Sequence, residues 1–156
     1  MMRNEQLHGF WYVLLVSGVI TADRITKKWA LEHCLEPYKI NDFLSFELIF
    51  NRGISWGLFN SENSIIFSVV SLVILGIIIG LGLYTFVRWN NTHWVIGELL
   101  VLSGALSNMI DRVLYGGVID FILLSARGYY WPYFNVADAC IVCGVGLMMI
   151  AVIWES

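Results

Sequence analysis

Apolar residues in this chain gather in long unbroken stretches joined by polar segments. They follow neither the alternation of a half-buried strand nor the narrow stripe of a soluble amphipathic helix. Four stretches stand out, at about 7–22, 64–87, 95–110 and 136–154. A helix crossing the hydrocarbon core needs roughly 20 apolar residues. The second and fourth stretches are therefore long enough alone, while the first and third must gain length from their flanks. Aromatic residues stand where the helix ends should meet headgroups: Trp11 and Tyr12, Trp89 and Trp94, Tyr129 to Tyr133, and Trp154. The pattern predicts an integral membrane protein, mainly α, with four transmembrane helices.

The joints predict the rest of the architecture. Arg88 to Trp94 reads as a tight polar turn, whereas 23–63 and 111–135 are longer connections that four spans would place on one side of the membrane. Within the first, Asp23 to His33 predicts a short interfacial helix that extends the first span or lies beside it, with Trp29 and Leu31 suited to the interface. Phe43 to Phe50 is bulky and ends at Asn51-Arg52-Gly53, which favours a strand and hence a small β-sheet on the membrane surface. Gly76, Gly80, Gly82, Gly144 and Gly146 predict close helix contacts. The first stretch lacks a small-x-small cleavage site followed by a polar domain, so a retained helix is expected. Residues 1–156 read as a single membrane-embedded domain.

Composition agrees with this class. The chain is 58% apolar and only 13% charged, with a mean hydropathy of +0.73, too apolar for a soluble domain of this length. Nine scattered Lys and Arg and a net charge of -3 exclude a basic nucleic-acid-binding face. Three cysteines make no disulfide framework. Cys140-x-x-Cys143 within an apolar helix reads as two small packing residues, and the dispersed His8, His33 and His93 offer no metal-ligand spacing. Seven of the basic residues lie in the two longer connections, which the positive-inside rule taken alone would assign to the cytoplasm.

The candidate chemistry lies in the carboxylates. An ionisable group near a bilayer centre costs about 2.5 to 3.5 kcal/mol or more, so such groups are paired, buried in protein or functional. Asn108-Met109-Ile110-Asp111 closes the third stretch, Asn135-Val136-Ala137-Asp138 opens the fourth, and Asp120 lies between them in Val118-Ile119-Asp120-Phe121. Residues three apart share a helix face, so each Asn is placed to hold its own Asp or the adjacent backbone. Asn135 also suits a helix N-cap. Asp111 beside Arg112 reads first as a structural ion pair, and Glu98 likewise reads as structural. Asp120 and Asp138 are set among apolar residues. If the segment between them folds back, the two carboxyls can meet and share a proton, one acting as base on water and the other donating to a substrate carbonyl. A transporter or proton-conducting subunit is the rival reading, and it requires carboxylates near span centres rather than at span ends. A non-catalytic assembly subunit would need no dyad.

These segments together resemble the lipoprotein signal peptidase family, the type II signal peptidases of bacteria. The resemblance is carried by Asp23-Arg24-Ile25-Thr26-Lys27, Asn51-Arg52-Gly53-Ile54-Ser55-Trp56-Gly57, Gly104 to Arg112, Val118 to Phe121, and Phe134 to Asp138. Ile54 stands where the family usually has Ala, and Ser107 where it usually has Gly. The resemblance implies an aspartyl endopeptidase without metal or cofactor, with Asp120 and Asp138 catalytic. Asp23, Asn51, Gly53, Asn108, Asp111, Arg112, Asn135 and Ala137 would support the site or contact substrate. It further implies the bacterial inner membrane, cytoplasmic termini and a site at the periplasmic face, against the simple charge count. Its partners would be membrane lipids and diacylglyceryl-modified prolipoproteins, cut before the lipidated cysteine. The oligomeric state expected is a monomer.

Overall fold

The computed structural model describes residues 2–53, 63–91 and 93–155. The stretch Ile54-Ser55-Trp56-Gly57, with the Ile54 departure, lies outside them. The apolar stretches form helices α1 (Met2–His33), α2 (Ser64–Asn90), α3 (Ile96–Tyr115) and α4 (Val136–Glu155). Of the two arrangements expected for Asp23 to His33, the segment takes the first: it extends α1 without a break rather than lying beside it. No Pro or Gly interrupts that segment, so nothing ends the helix before the Cys34 region.

α2 and α4 are long and apolar enough to cross a membrane. α3 is more polar for a positional reason. It packs against α4, α1 and α2, so its neighbours cover Glu98, Ser103, Ser107, Asp111 and Arg112, all of which are buried. At the far end from the sheet, Arg88 Nε lies 2.8 Å from Glu98 Oε1 and ties the end of α2 to the start of α3. α3 runs past the expected end at 110 to Gly116, whose left-handed φ of 68° terminates it. Asp111 and Arg112 are therefore helical, inside the last turns rather than at a helix end.

Of the glycines expected at close helix contacts, Gly144 makes one and the other four do not. Gly76, Gly80, Gly82 and Gly146 have open space where a Cβ would stand. The tight approach is between α3 and α4, where Cβ atoms added at Gly97 and Gly144 would meet each other's carbonyl oxygens at 2.9 and 2.6 Å. On α2 the glycines face outward, where no neighbouring helix demands a small residue.

The connections hold a four-stranded antiparallel sheet in the order β1 (Tyr38–Lys39), β2 (Leu44–Asn51), β3 (Val118–Ala126) and β4 (Tyr129–Tyr130). The strand expected over 43–50 is β2. The segment 111–135 is not a plain loop, because Val118–Ala126 pairs with β2, placing Ile49 opposite Asp120 and Asn51 opposite Val118. The β3–β4 hairpin turns through Arg127 and Gly128, both at positive φ, the geometry of a two-residue primed turn. The sheet lies on the end of α1 through Ala30, Cys34, Ile119 and Phe121, with Trp29, Phe46 and Leu48 around them. Trp29 meets Phe46 edge to face at 5.3 Å. Trp29 and Leu31 thus pack against the sheet rather than facing the membrane interface as expected. This clamp fixes β3, and with it Asp120, over the last turns of α1.

Candidate active site

The start of α4 shows why Asn135 and Asp138 share a helix turn. Asn135 Oδ1 accepts from the Asp138 backbone N–H at 2.9 Å, and Asp138 Oδ2 accepts from the Asn135 N–H at 3.2 Å. This is a reciprocal capping box. The cap expected of Asn135 is present, and it leaves the amide nitrogen free for other work. That nitrogen donates to Asp120 Oδ1 at 2.7 Å, and it also approaches the backbone carbonyl oxygen of Ile119 and the side-chain Oδ1 of Asn108, each at 3.2 Å. One side chain therefore caps α4, holds Asp138 by its backbone and holds Asp120 by its carboxylate. From β2, Asn51 Nδ2 donates to Asp120 Oδ2 at 3.0 Å, while Asn51 Oδ1 accepts from the Gly53 N–H.

Asn108 does not hold Asp111, as its spacing had suggested. Its Nδ2 donates instead to Asp138 Oδ1 at 2.8 Å. The ion pair expected of Asp111 exists, but its partners are Arg24 and Lys27 on α1 rather than adjacent Arg112. A side chain next in sequence on a helix points about 100° away, so a neighbouring helix supplies better partners. Arg112 turns to the carbonyl of Gly53 and lies over the Phe67 ring, 5.4 Å from its centroid.

Beneath the carboxylates lies a buried polar cluster. Lys27 is only 1% exposed, and its Nζ lies 2.8 Å from Asp23 Oδ2, 2.7 Å from Asp111 Oδ2 and 2.7 Å from Asn108 Oδ1. Asp23 also accepts from Ser107 Oγ at 2.6 Å and from the Ala137 N–H at 2.9 Å. Its carboxylate thus satisfies a free N–H at the α4 N-terminus, where negative charge is favoured. Ser107, where the resemblance implied Gly, is built into this network. Each buried charge meets an opposite charge or a donor, which is the condition for burying it at all.

Asp120 and Asp138 open onto one cavity of about 450 Å³. Asn51, Gly53, Asn108 and Arg112 share its lining, and Trp131 and Tyr133 form an aromatic wall. Asp23, Asp111, Asn135 and Ala137 lie buried behind it. All ten residues singled out in the sequence therefore converge on one region. Burial, followed by the nearby Asp138 charge, pushes the Asp120 carboxyl up from 3.8 to about 7, against the lowering effect of the Asn51 and Asn135 hydrogen bonds. A carboxyl near 7 exchanges protons readily at neutral pH, as acid–base catalysis requires. Lys27, Ser107 and Tyr133 were not among the expected site residues. A lysine four residues after Asp23 on one helix face was the available signal for the first, whereas the aromatic wall had none beyond its interface-like composition. Tyr133 Oη donates to Glu47 Oε2 at 2.7 Å, tying that wall to β2.

A family model described as signal peptidase (SPase) II matches residues 15–154. The chain is 37% identical over 150 residues to the lipoprotein signal peptidase of Clostridium novyi, covering 92% of this chain and 98% of that protein. It is 38% identical over 144 residues to the lipoprotein signal peptidase of Clostridium acetobutylicum, with 90% of each covered. A solved structure described as a bacterial membrane enzyme at 2.3 Å superposes with a TM-score of 0.74 at 29% identity, over 92% of this chain and 88% of that one.

Proposed function

The chain belongs to the signal peptidase II family, which removes signal peptides from prolipoproteins, and on that premise we propose that it cleaves as an aspartyl endopeptidase through Asp120 and Asp138. The observation that carries this reading is that both carboxyls line one cavity and are held by a single residue, Asn135. Two nearby carboxyls that share a proton can activate water and protonate a carbonyl in one step. Asn51, Asn108 and Asn135 orient the pair, and Asp23, Asp111 and Arg112 fix the elements that carry them. Gly53 gives its carbonyl to Arg112, and Ala137 gives its backbone N–H to Asp23.

The substrate bond lies just before a diacylglyceryl-cysteine. Its acyl chains bury about 0.8 kcal/mol per methylene and so hold the bond near headgroup depth. The dyad stands at the helix ends beside the sheet, where such a bond would arrive by lateral diffusion. The whole chain acts as one membrane-embedded peptidase domain in the bacterial inner membrane. α1 and α3 cross with α2 and α4, both termini are cytoplasmic, and the sheet and site lie at the periplasmic face. Carboxylates at helix ends favour this over ion conduction through span centres. The test compares a diacylglyceryl precursor with the same precursor unmodified, using purified enzyme in detergent or bilayers. The lipidated form should release its signal peptide far faster, and equal rates would point to a general membrane protease.

A further inference from the structure

The two carboxyls of the dyad are not held alike. Lys27 has three N–H donors and no acceptor, and it spends them on Asp23, Asp111 and Asn108. The Asn108 atom facing an ammonium must be its carbonyl oxygen, so its amide nitrogen is turned toward Asp138. The other oxygen of Asp138 meets the Asn135 backbone N–H. Asp138 also stands in the first turn of α4, where the helix end favours an anion, and it is only partly buried, at the cavity lining. Asp120 lies on β3 rather than in a first helical turn and is 2% exposed. Among the described residues its donors are the amides of Asn51 and Asn135, whose own oxygens accept from the backbone N–H groups of Gly53 and Asp138 rather than from a cation. Burial without a cation-backed donor disfavours charge there.

Resting on the aspartyl-peptidase reading, we propose that Lys27 is a positioning residue that sets the resting asymmetry of the dyad. Through the locked amide of Asn108 it holds Asp138 as the carboxylate base and leaves the shared proton on Asp120. The cycle then balances. Water attacks the scissile carbonyl carbon, Asp138 takes one water proton, and Asp120 gives its proton to the carbonyl oxygen, forming a gem-diol. As the C–N bond breaks, Asp138 gives its proton to the departing nitrogen and a gem-diol hydroxyl returns a proton to Asp120. The products are an acid and an amine, and both aspartates regain their starting states.

The charged groups facing the dyad are Asp23, Arg24 and Lys27 from α1, Asp111 and Arg112 from α3, and each aspartate facing the other from β3 and α4. Arg24 and Lys27 are matched by Asp23 and Asp111. What reaches Asp138 from Lys27 is therefore chiefly the fixed direction of the amide rather than unbalanced charge.

The experiment is the pH profile of kcat/KM for a diacylglyceryl peptide, measured on the full-length enzyme and on Asn108→Leu, Asn51→Leu and Lys27→Met. Asn108→Leu removes the donor to Asp138 and should move the acid limb up by about one pH unit. Asn51→Leu removes a donor to Asp120 and should move the alkaline limb up instead. Lys27→Met frees the amide and should reproduce the Asn108→Leu shift; should it fail to fold, the two Asn variants decide. Limbs that move in the opposite assignment, or rates that fall equally at every pH, would overturn the proposal. Absence of a bell-shaped profile in the unaltered enzyme would overturn the underlying reading instead.

Discussion

Gly104 and Ala137 meet backbone to backbone: a Cβ added at Gly104 would stand 2.5 Å from the Ala137 carbonyl oxygen and 2.8 Å from Ile141 Cγ1. The Ile141 side chain can yield but the Ala137 backbone carbonyl cannot, so α4 itself must move, and Asp138 is the next residue along. Gly104→Ala should therefore lower thermal stability, with overpacking costing about 1–3 kcal/mol, and should slow cleavage as well. Gly80→Ala, with open space at its Cβ, should be neutral or gain about 0.5–1 kcal/mol from helix entropy. Thermal unfolding in detergent and turnover measure both. A Gly104→Ala protein as stable and active as the original would mean that the two helices are not held this closely.

Asp120→Asn and Asp138→Asn should each reduce cleavage by about 100-fold to 10,000-fold or more while leaving the protein folded in the membrane. As a control, Cys140→Ser combined with Cys143→Ser should keep activity, because both thiols are free and neither bonds a dyad carboxylate. Release of the signal peptide is the assay. Substantial turnover by either aspartate variant would remove that residue from the chemistry.

Asn135→Ala loses two functions at once, a helix cap and a donor to Asp120. The cap alone predicts a loss of about 0.5–2 kcal/mol in stability. A lost hydrogen bond to a charged group, about 1.5–3 kcal/mol, predicts turnover slowed roughly tenfold to a few hundredfold. Measuring unfolding and kcat on the same preparation separates the two. A stability loss with unchanged kcat would leave Asn135 as a cap only.

Asp120 reverses the usual carboxylate linkage. Its folded value, raised to about 7 from 3.8, means that the folded protein binds a proton that the unfolded chain has released. Stability from this group is thus present at low pH and is lost as the pH rises from about 4 to about 7. Asp120→Asn cannot ionise. Between pH 5 and pH 8 the unaltered protein should lose more Tm than the variant does. Parallel curves would show that ionising Asp120 carries no penalty in the fold.

Much of the framework was legible locally. Residues 64–87 and 136–154 carry enough consecutive apolar residues that little but a helix in an apolar environment satisfies their backbone. Asn135 was readable as a cap because capping needs only residues three apart. Where periodicity was silent, the reading failed. Val118–Ala126 is a nearly continuous apolar run without alternation, so only its pairing with β2 identifies it as a strand. Asp23 to His33 lacks a breaker, but its interfacial composition left open whether it extends α1 or lies beside it, and only the structure shows the continuous helix.

The sequence by itself determined the helical stretches, the strand β2, the caps and the residue types needed for a carboxylate pair, because each depends on neighbours a few positions apart. It also carried, in five short motifs, the family resemblance. Only the tertiary structure decided partners. Lys27 meets Asn108 across 81 positions, Asn51 meets Asp120 across 69, and Asp23 meets the Ala137 N–H across 114. Periodicity assigns a side chain to a face, but the opposing face comes from another element whose rotation and depth are set by global packing. For that reason Asp111 pairs with Arg24 and Lys27 instead of its neighbour Arg112, and Asn108 serves Asp138 instead of Asp111.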